Sequence, residues 1–383
     1  MSYININNMQ EIQQEIQQET DDTYITYISR TSNDICDIPK TSVIFSSEYQ
    51  RVEKYSKSLY VFPQLSATSK QFNGSIIIHN KITGEWSYEF ESNRPENYRY
   101  FICYRKQNMN ETNESELWIY ELENLKTYDI INNYCLLNSF EYENYEDPRF
   151  FIFENQLYIS YVYWKNIYKK NNADVPMIDW KTEKNTKIMQ KCIPIYIDSI
   201  THKLFINKTE EKIPPYGNNL TSVQGGKEKN WIFFEMNNKL YILYNILPFT
   251  LIEYDIYDNQ CKLIYQLTSI ISVGITLRSS TPIIFDSISK TCKLYLHCTD
   301  YNIYECNLNF NNKIIIDILP EPIMSSIYQI SAKSDGLNDP PEKKYCNGVL
   351  FPCGLIYDIS TNSDIISMGI NDLKLGLFIH SRD

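Results

Sequence analysis

Histidine and glycine are scarce in this chain, at 4 and 11 of 383 residues, and several features are missing outright. No apolar run approaches the roughly 18 residues that would mark a membrane-crossing helix, so no membrane partner is expected. The N-terminal stretch MSYININNMQEIQQEIQQETDD is polar and acidic where a signal peptide would be basic and then apolar, which points to a cytoplasmic protein. A net charge of −11, with no basic stripe carrying interleaved aromatics, argues against a nucleic-acid partner, because phosphate backbones are held by clustered Lys and Arg. Gly225 and Gly226 in QGGKEKN do not form a nucleotide-cradling loop. The 10 cysteines follow no repeating spacing and read as reduced thiols. Cys292, His297 and Cys298 come nearest to a metal pattern, but they lack paired ligands at zinc spacing, so no metal is expected.

What the chain does have is aromatic and β-branched side chains, with 32 Tyr and 17 Phe in a sequence that is 43% hydrophobic. Such side chains suit a pleated surface and predict an all-β fold. Heavy use of Asn, Ile, Lys and Tyr is also what an AT-rich genome encodes, as in a protist or a giant virus, so the tyrosine excess alone does not mark a sugar-binding surface. The clearest helical segment is MQEIQQEIQQET over residues 9–20, with Met9, Ile12 and Ile16 on one face. It predicts an N-terminal acidic arm (residues 1–40) with a short helix, either packed on the domain or used as an oligomer contact. A single β domain is expected over residues 41–383.

That domain carries a loose internal repeat. FENQLYISY (153–161) and FEMNNKLYILY (234–244) each read as an apolar strand, an Asn-rich tight turn and a second strand. Weaker copies are IIFDSISKTCKLYLHC (283–298), VLFPCGLIYDISTNSDIISMGIND (349–372) and GSIIIHNKITGEWSYEF (74–90), the last followed by RYFICYR. Strand entrances near Asn73, Asp147, Asn230, Thr281 and Val349 recur every 50 to 80 residues or roughly so, as the blades of a propeller with decorated loops would. The expected fold is therefore a five-bladed β-propeller, with a β-sandwich or a two-domain β protein as alternatives. In a propeller the first residues of five inner strands would surround one pit.

The most reactive-looking entrance is Glu146, Asp147, Pro148, Arg149, Phe150, leading into FIFENQLYISYVYW. Pro148 cannot donate a ladder hydrogen bond, so it belongs at a strand start. Strand alternation would point Asp147 and Arg149 together and Glu146 away. On these residues alone, a structural Asp147–Arg149 ion pair competes with a catalytic role.

The ordered set FNGSIII (72–78) with CYR (103–105), EDPRF (146–150), EKNWIFF (228–234), RSSTPII (278–284), LFPCGLI (350–356) and MGIND (368–372) resembles the five-bladed propeller enzymes of glycoside hydrolase family 130, the mannoside phosphorylases and mannosidases. It is also similar to the related mannosyltransferases of glycosyltransferase family 108. The resemblance covers most of the chain after about residue 60. It implies that Asp147 is the general acid that protonates the departing glycosidic oxygen, directly or through a sugar hydroxyl. An ordinary aspartic acid is ionised at neutral pH, so that role needs a relay or surroundings that favour the protonated form. Arg149 is then expected to turn towards a sugar hydroxyl, an anion or Glu146.

The same resemblance makes Arg105, Lys229 and Arg278 candidates to hold phosphate, since a phosphate nucleophile must be both neutralised and held in line. It places Asp372 and Asn73 with the sugar-binding residues and makes Trp231 and Tyr104 candidate stacking faces. Their structural alternatives are a solvated loop charge for Lys229, core packing for Trp231 and a turn cap for Asp372. The segment LYNILPFTLIEYD departs from the family, with Phe249 where a histidine or arginine is common near the proline. Hydrolysis, or transfer from a nucleotide sugar, is thereby favoured beside phosphorolysis. Inverting hydrolysis needs a second carboxylate to activate water, for which Glu228, Glu235 and Asp372 are candidates. The function expected is an inverting glycosyl-transferring enzyme on mannose-like glycosides. It would take an oligosaccharide or sugar-phosphate substrate and no cofactor, with inorganic phosphate, a sugar phosphate or a nucleotide sugar as co-substrate. The alternative is a non-catalytic propeller that binds a glycan or a protein.

Overall fold

Asparagine tolerates the left-handed backbone that two-residue hairpins require, and the Asn-rich turns use it. Glu154 and Asn155 have φ of 49° and 61°, and Asn237 and Asn238 have 53° and 57°. Phe153 accordingly pairs with Gln156, and Met236 with Lys239. Similar turns and aromatic strands recur through the computed structural model. It describes residues 42–44, 59–62, 69–108, 114–139, 143–166, 186–215, 230–246, 248–266, 277–286, 291–298, 301–310, 314–318, 322–324, 349–370 and 374–382. The helix expected over residues 9–20, and the whole arm of residues 1–40, lie outside these. Among the described residues there is no α-helix, and the only helical pieces are 3-10 turns at Pro95–Asn97 and Lys208–Glu210. None of those residues forms a helix long and apolar enough to cross a membrane.

The all-β chain divides into five successive antiparallel units. The first is Ser69–Asn80, Tyr98–Asn108, Ser115–Leu122 and Ile130–Leu137. The second is Glu143–Phe153, Gln156–Asn166, Thr186–Ile197 and Leu204–Ile206, joined to the first by a single parallel bridge, Ser115 to Asn144. The third is Ile232–Met236, Lys239–Ile246, Phe249–Asp255 and Gln260–Gln266. In the fourth, Leu277–Ser279 and Ile284–Asp286 share the partner Thr291–Cys298, followed by Ile303–Asn309 and Ile315–Ile318. The fifth is Leu350–Asp358, Ser363–Ile370 and Lys374–Ser381. Its fourth strand comes from the far end of the chain, where Leu59–Val61 pairs with Lys374–Ser381. Ser42–Ile44 similarly adds in parallel to the outer strand of the fourth unit.

Alternation along each strand sends apolar side chains to both faces of every sheet, so each face must be covered by a neighbour. Five apolar clusters do this, one between each consecutive pair of units and one between the fifth and the first. Phe151 stacks on Phe233 between units two and three, at 4.8 Å. Ile356 and Leu377 meet Ile78 and Tyr100 between units five and one. The five units therefore form a closed ring, consistent with a propeller-like fold. Between units four and five the seam turns ionic. Lys293 Nζ lies 3.1 Å from both Glu305 and the fully buried Asp364, Arg382 Nε donates to Asp364 at 2.9 Å, and the Tyr295 hydroxyl donates to it at 2.6 Å.

Candidate active site

The first strands of the units approach one another closely, and their entrances are irregular. Asn73, Asp147 and Asn230 open the first, second and third units, and all three have left-handed backbones, with φ of 52°, 49° and 67°. Only Gly, Asn and Asp take that conformation readily, which explains the residue type at each entrance. In the second unit Arg149 pairs with Ser160 and Glu146 with Val162, so Asp147 and Pro148 bulge out opposite Tyr161. A bulge re-aims side chains. The strict alternation expected for Glu146, Asp147 and Arg149 is broken there.

The re-aimed groups bring four units together. Asn73 Nδ2 donates to Asp147 Oδ1 at 2.8 Å, with both residues buried. Arg149 donates from Nε to the Ser280 carbonyl at 2.6 Å, from Nη1 to the Asp147 carbonyl at 3.2 Å and from Nη2 to Asn230 Oδ1 at 3.3 Å. Its guanidinium stands 5.7 Å from the Phe351 ring of the fifth unit. Ser280 Oγ in turn hydrogen-bonds His297 Nδ1, and the imidazole packs on Phe351 at 4.7 Å. Arg149 is 2% exposed, so it pins the entrances of units two, three and four together. Its donors reach backbone carbonyls and an amide across the ring, where the sequence suggests a sugar hydroxyl, an anion or Glu146.

Two other candidate residues are enclosed by packing. The Tyr104 ring is fully buried, stacked on Tyr120 at 4.3 Å, with its hydroxyl on Asn133 Oδ1. Burial, then the neighbouring Tyr120, pushes its phenol well up. Trp231 is 2% exposed, within the apolar cluster between units two and three and beside Tyr244. Both rings are covered by protein, so neither offers a face to a sugar. Glu235 accepts from the Glu154 backbone N–H at the opposite end of its strand, away from the Asp147 entrance.

Among the anion-binding candidates, Arg105 Nη2 contacts Glu146 Oε1 at 2.7 Å, while its Nε is buried with no hydrogen-bond partner. Arg278 is exposed, in register with His297. Lys229, Glu228 and Asp372 lie outside the described residues. Phe249, the departure from the family pattern, is fully buried in the cluster between units three and four.

The sequence offers Asn230 only as a strand entrance and His297 only in a metal pattern, and it gives no role to Ser280 or Phe351. A left-handed Asn or Asp at each of three strand starts was the available signal for Asn230. The structure also sets Ser75 Oγ to accept from the Phe150 N–H at 3.0 Å, and Ser367 Oγ to donate to the Gly74 carbonyl at 2.6 Å. Small hydroxyl residues here tie adjoining units where strands pass too closely for larger side chains.

No protein-family model matches the chain, and no curated protein sequence matches it either. Among solved structures, the chain is similar to a candidate glycosidase from Bacteroides thetaiotaomicron, at 12% identity and TM-score 0.50, covering 93% of this chain and 97% of that one. It also aligns with a mannose phosphorylase from Leishmania mexicana bound to phosphate, at 9% identity and TM-score 0.46 over 99% and 95% of the two chains. A third is a β-1,2-mannobiose phosphorylase from Listeria innocua bound to β-1,2-mannobiose, at 10% identity and TM-score 0.46 over 86% and 92%. At these identities the likeness is one of fold.

Proposed function

We propose that the five units are the blades of a five-bladed β-propeller enzyme that transfers glycosyl groups from mannose-like glycosides with inversion, using Asp147 as general acid. One observation carries the reading. Arg149, two residues from Asp147, directs its guanidinium to the carbonyls of Asp147 and Ser280 and to Asn230. The structural ion pair that competed for Asp147 is therefore not the arrangement adopted, and the carboxyl instead takes an amide donor from the next blade. A carboxyl held at one oxygen by a donor from a rigid scaffold is fixed in place, leaving its other oxygen to pass a proton to the leaving oxygen directly or by relay through a sugar hydroxyl. The motif resemblance supplies the sugar class, and the fold shared with the Bacteroides candidate glycosidase is compatible with it.

The reading of the nucleophile rests on a described cation near the acid. Arg105 is already paired with Glu146, which favours a neutral nucleophile, water or an acceptor hydroxyl, over a phosphate dianion. The test is to incubate the protein with mannobiose with and without inorganic phosphate, and with mannose 1-phosphate or GDP-mannose and mannoside acceptors, beside Asp147→Asn. Turnover that falls at least about 100-fold in Asp147→Asn supports the acid. Equal turnover in both proteins removes Asp147 from the chemistry, and no turnover in either removes the enzyme reading and leaves a glycan- or protein-binding propeller.

A further inference from the structure

Asn73 is an unusual partner for a carboxylate, because only half of its amide is satisfied. Its Nδ2 donates to Asp147 Oδ1, whereas its Oδ1 is buried without a hydrogen-bond partner. A buried orphan acceptor is costly and persists only where something else fixes it. Here that is Gly369, in the second strand of the fifth unit. A Cβ built on Gly369 would fall 1.9 Å from Asn73 Oδ1 and 2.9 Å from Asn73 N. The carbonyl end of the amide therefore rests on a backbone surface that only glycine supplies. Turning the amide over would set its oxygen against the carboxylate, so the amide has one favourable orientation. The residue is further fixed by its left-handed φ of 52° and by the bulge between Phe72 and Ser75. Ser367 and Phe150 hold the next two residues from either side.

We propose that Asn73 is the positioning residue for Asp147, with Gly369 setting Asn73. The amide fixes which carboxyl oxygen faces the glycosidic bond, and the fifth unit fixes the amide. This role rests on Asp147 being the acid, and it differs from the sugar contact expected of Asn73 from the sequence.

Two measurements test it. The first needs no turnover: the side-chain amide NMR signal of Asn73, assigned by its loss in Asn73→Ala, is expected to move with pH and to stop doing so in Asp147→Asn. A signal indifferent to Asp147→Asn overturns the proposal whether or not the protein is an enzyme. The second is kinetic. Asn73→Ala is expected to lower kcat by roughly 10- to 100-fold with KM within about threefold, the pattern of a misplaced catalytic group. Asn73→Asp keeps the shape and the left-handed backbone but donates only when protonated. Its activity relative to the parent should climb as pH falls, while the ratio for Asn73→Ala stays flat. Parent-like kcat in Asn73→Ala, or identical pH profiles for the two variants, overturns the role. Gly369→Ala is expected to match Asn73→Ala and to add nothing to it in the double variant, and additive losses would remove Gly369 from the proposal. Absence of turnover in the parent counts against the enzyme reading, and the amide signal still decides the coupling of Asn73 to Asp147.

Discussion

Arg149 Nε donates to the backbone carbonyl of Ser280 at 2.6 Å, linking residues 131 positions apart. With its bonds to the Asp147 carbonyl and Asn230, it satisfies three buried acceptors from three units. Lysine has one ammonium in place of a planar fork and cannot reach all three. Arg149→Lys is expected to lower stability by about 2–4 kcal/mol, since a buried acceptor left alone costs about 1–3 kcal/mol. Urea unfolding with an unchanged m-value is the measurement.

Glu305 makes stability depend on acid. Burial alone would raise its carboxyl, but hydrogen bonds from His380, Lys293 and Asn307, together with the Lys293 charge, bring it from 4.5 to about 2. A carboxyl depressed in the folded state stabilises above its unfolded value, and that contribution fades as pH falls from about 4.5 towards 2. Compared with Glu305→Gln, the parent should be more stable by up to about 3 kcal/mol near neutral pH. The gap should close as the buffer is taken to pH values between these limits, as read by denaturant unfolding at each pH.

Gly354 marks a close passage between the fifth and first units. A Cβ there would lie 2.4 Å from Ile76 N and 2.2 Å from Ser367 Oγ. The backbone nitrogen cannot move without shifting its strand. Gly354→Ala is expected to cost about 1–3 kcal/mol or more, as overpacking does, and to lower the thermal midpoint accordingly.

Phe62 tests the clasp that completes the fifth unit. It is 2% exposed, lies 5.7 Å from the Tyr120 ring, and its N–H donates to the Leu375 carbonyl at 2.9 Å. Phe62→Ala is expected to cost about 3–5 kcal/mol, and limited proteolysis should then cut between residues 44 and 62 faster than in the parent.

The hairpins could be read from sequence because asparagine in left-handed turns is a local property, as at Asn155 and at Asn237 and Asn238. The Asp147 entrance was visible for a similar reason, with a proline and two charges at a strand start. The partners of Arg149 were not, because nothing local connects it to Ser280 or Asn230. Tyr104 and Trp231 lie buried because every sheet here is packed on both faces, so an aromatic near an entrance packs between units. In the sequence His297 stands out only beside Cys292 and Cys298. Those two lie an even number of residues apart and share the apolar cluster, while His297, at odd spacing from both, faces Ser280 and Phe351. That parity was present in the sequence.

The pairing of Val61 with Gly376 also constrains how the chain reaches its fold. The ring cannot close until residue 376 has been synthesised, so during translation the segment around residue 60 must wait while four units form. Closing so long a loop is entropically slow. Until it happens, the outer edge of Lys374–Ser381 and the apolar faces of the first and fifth units stay open to other chains. Folding yield is therefore expected to fall with protein concentration, and joining the fifth unit directly to residue 59 by circular permutation should relieve that dependence.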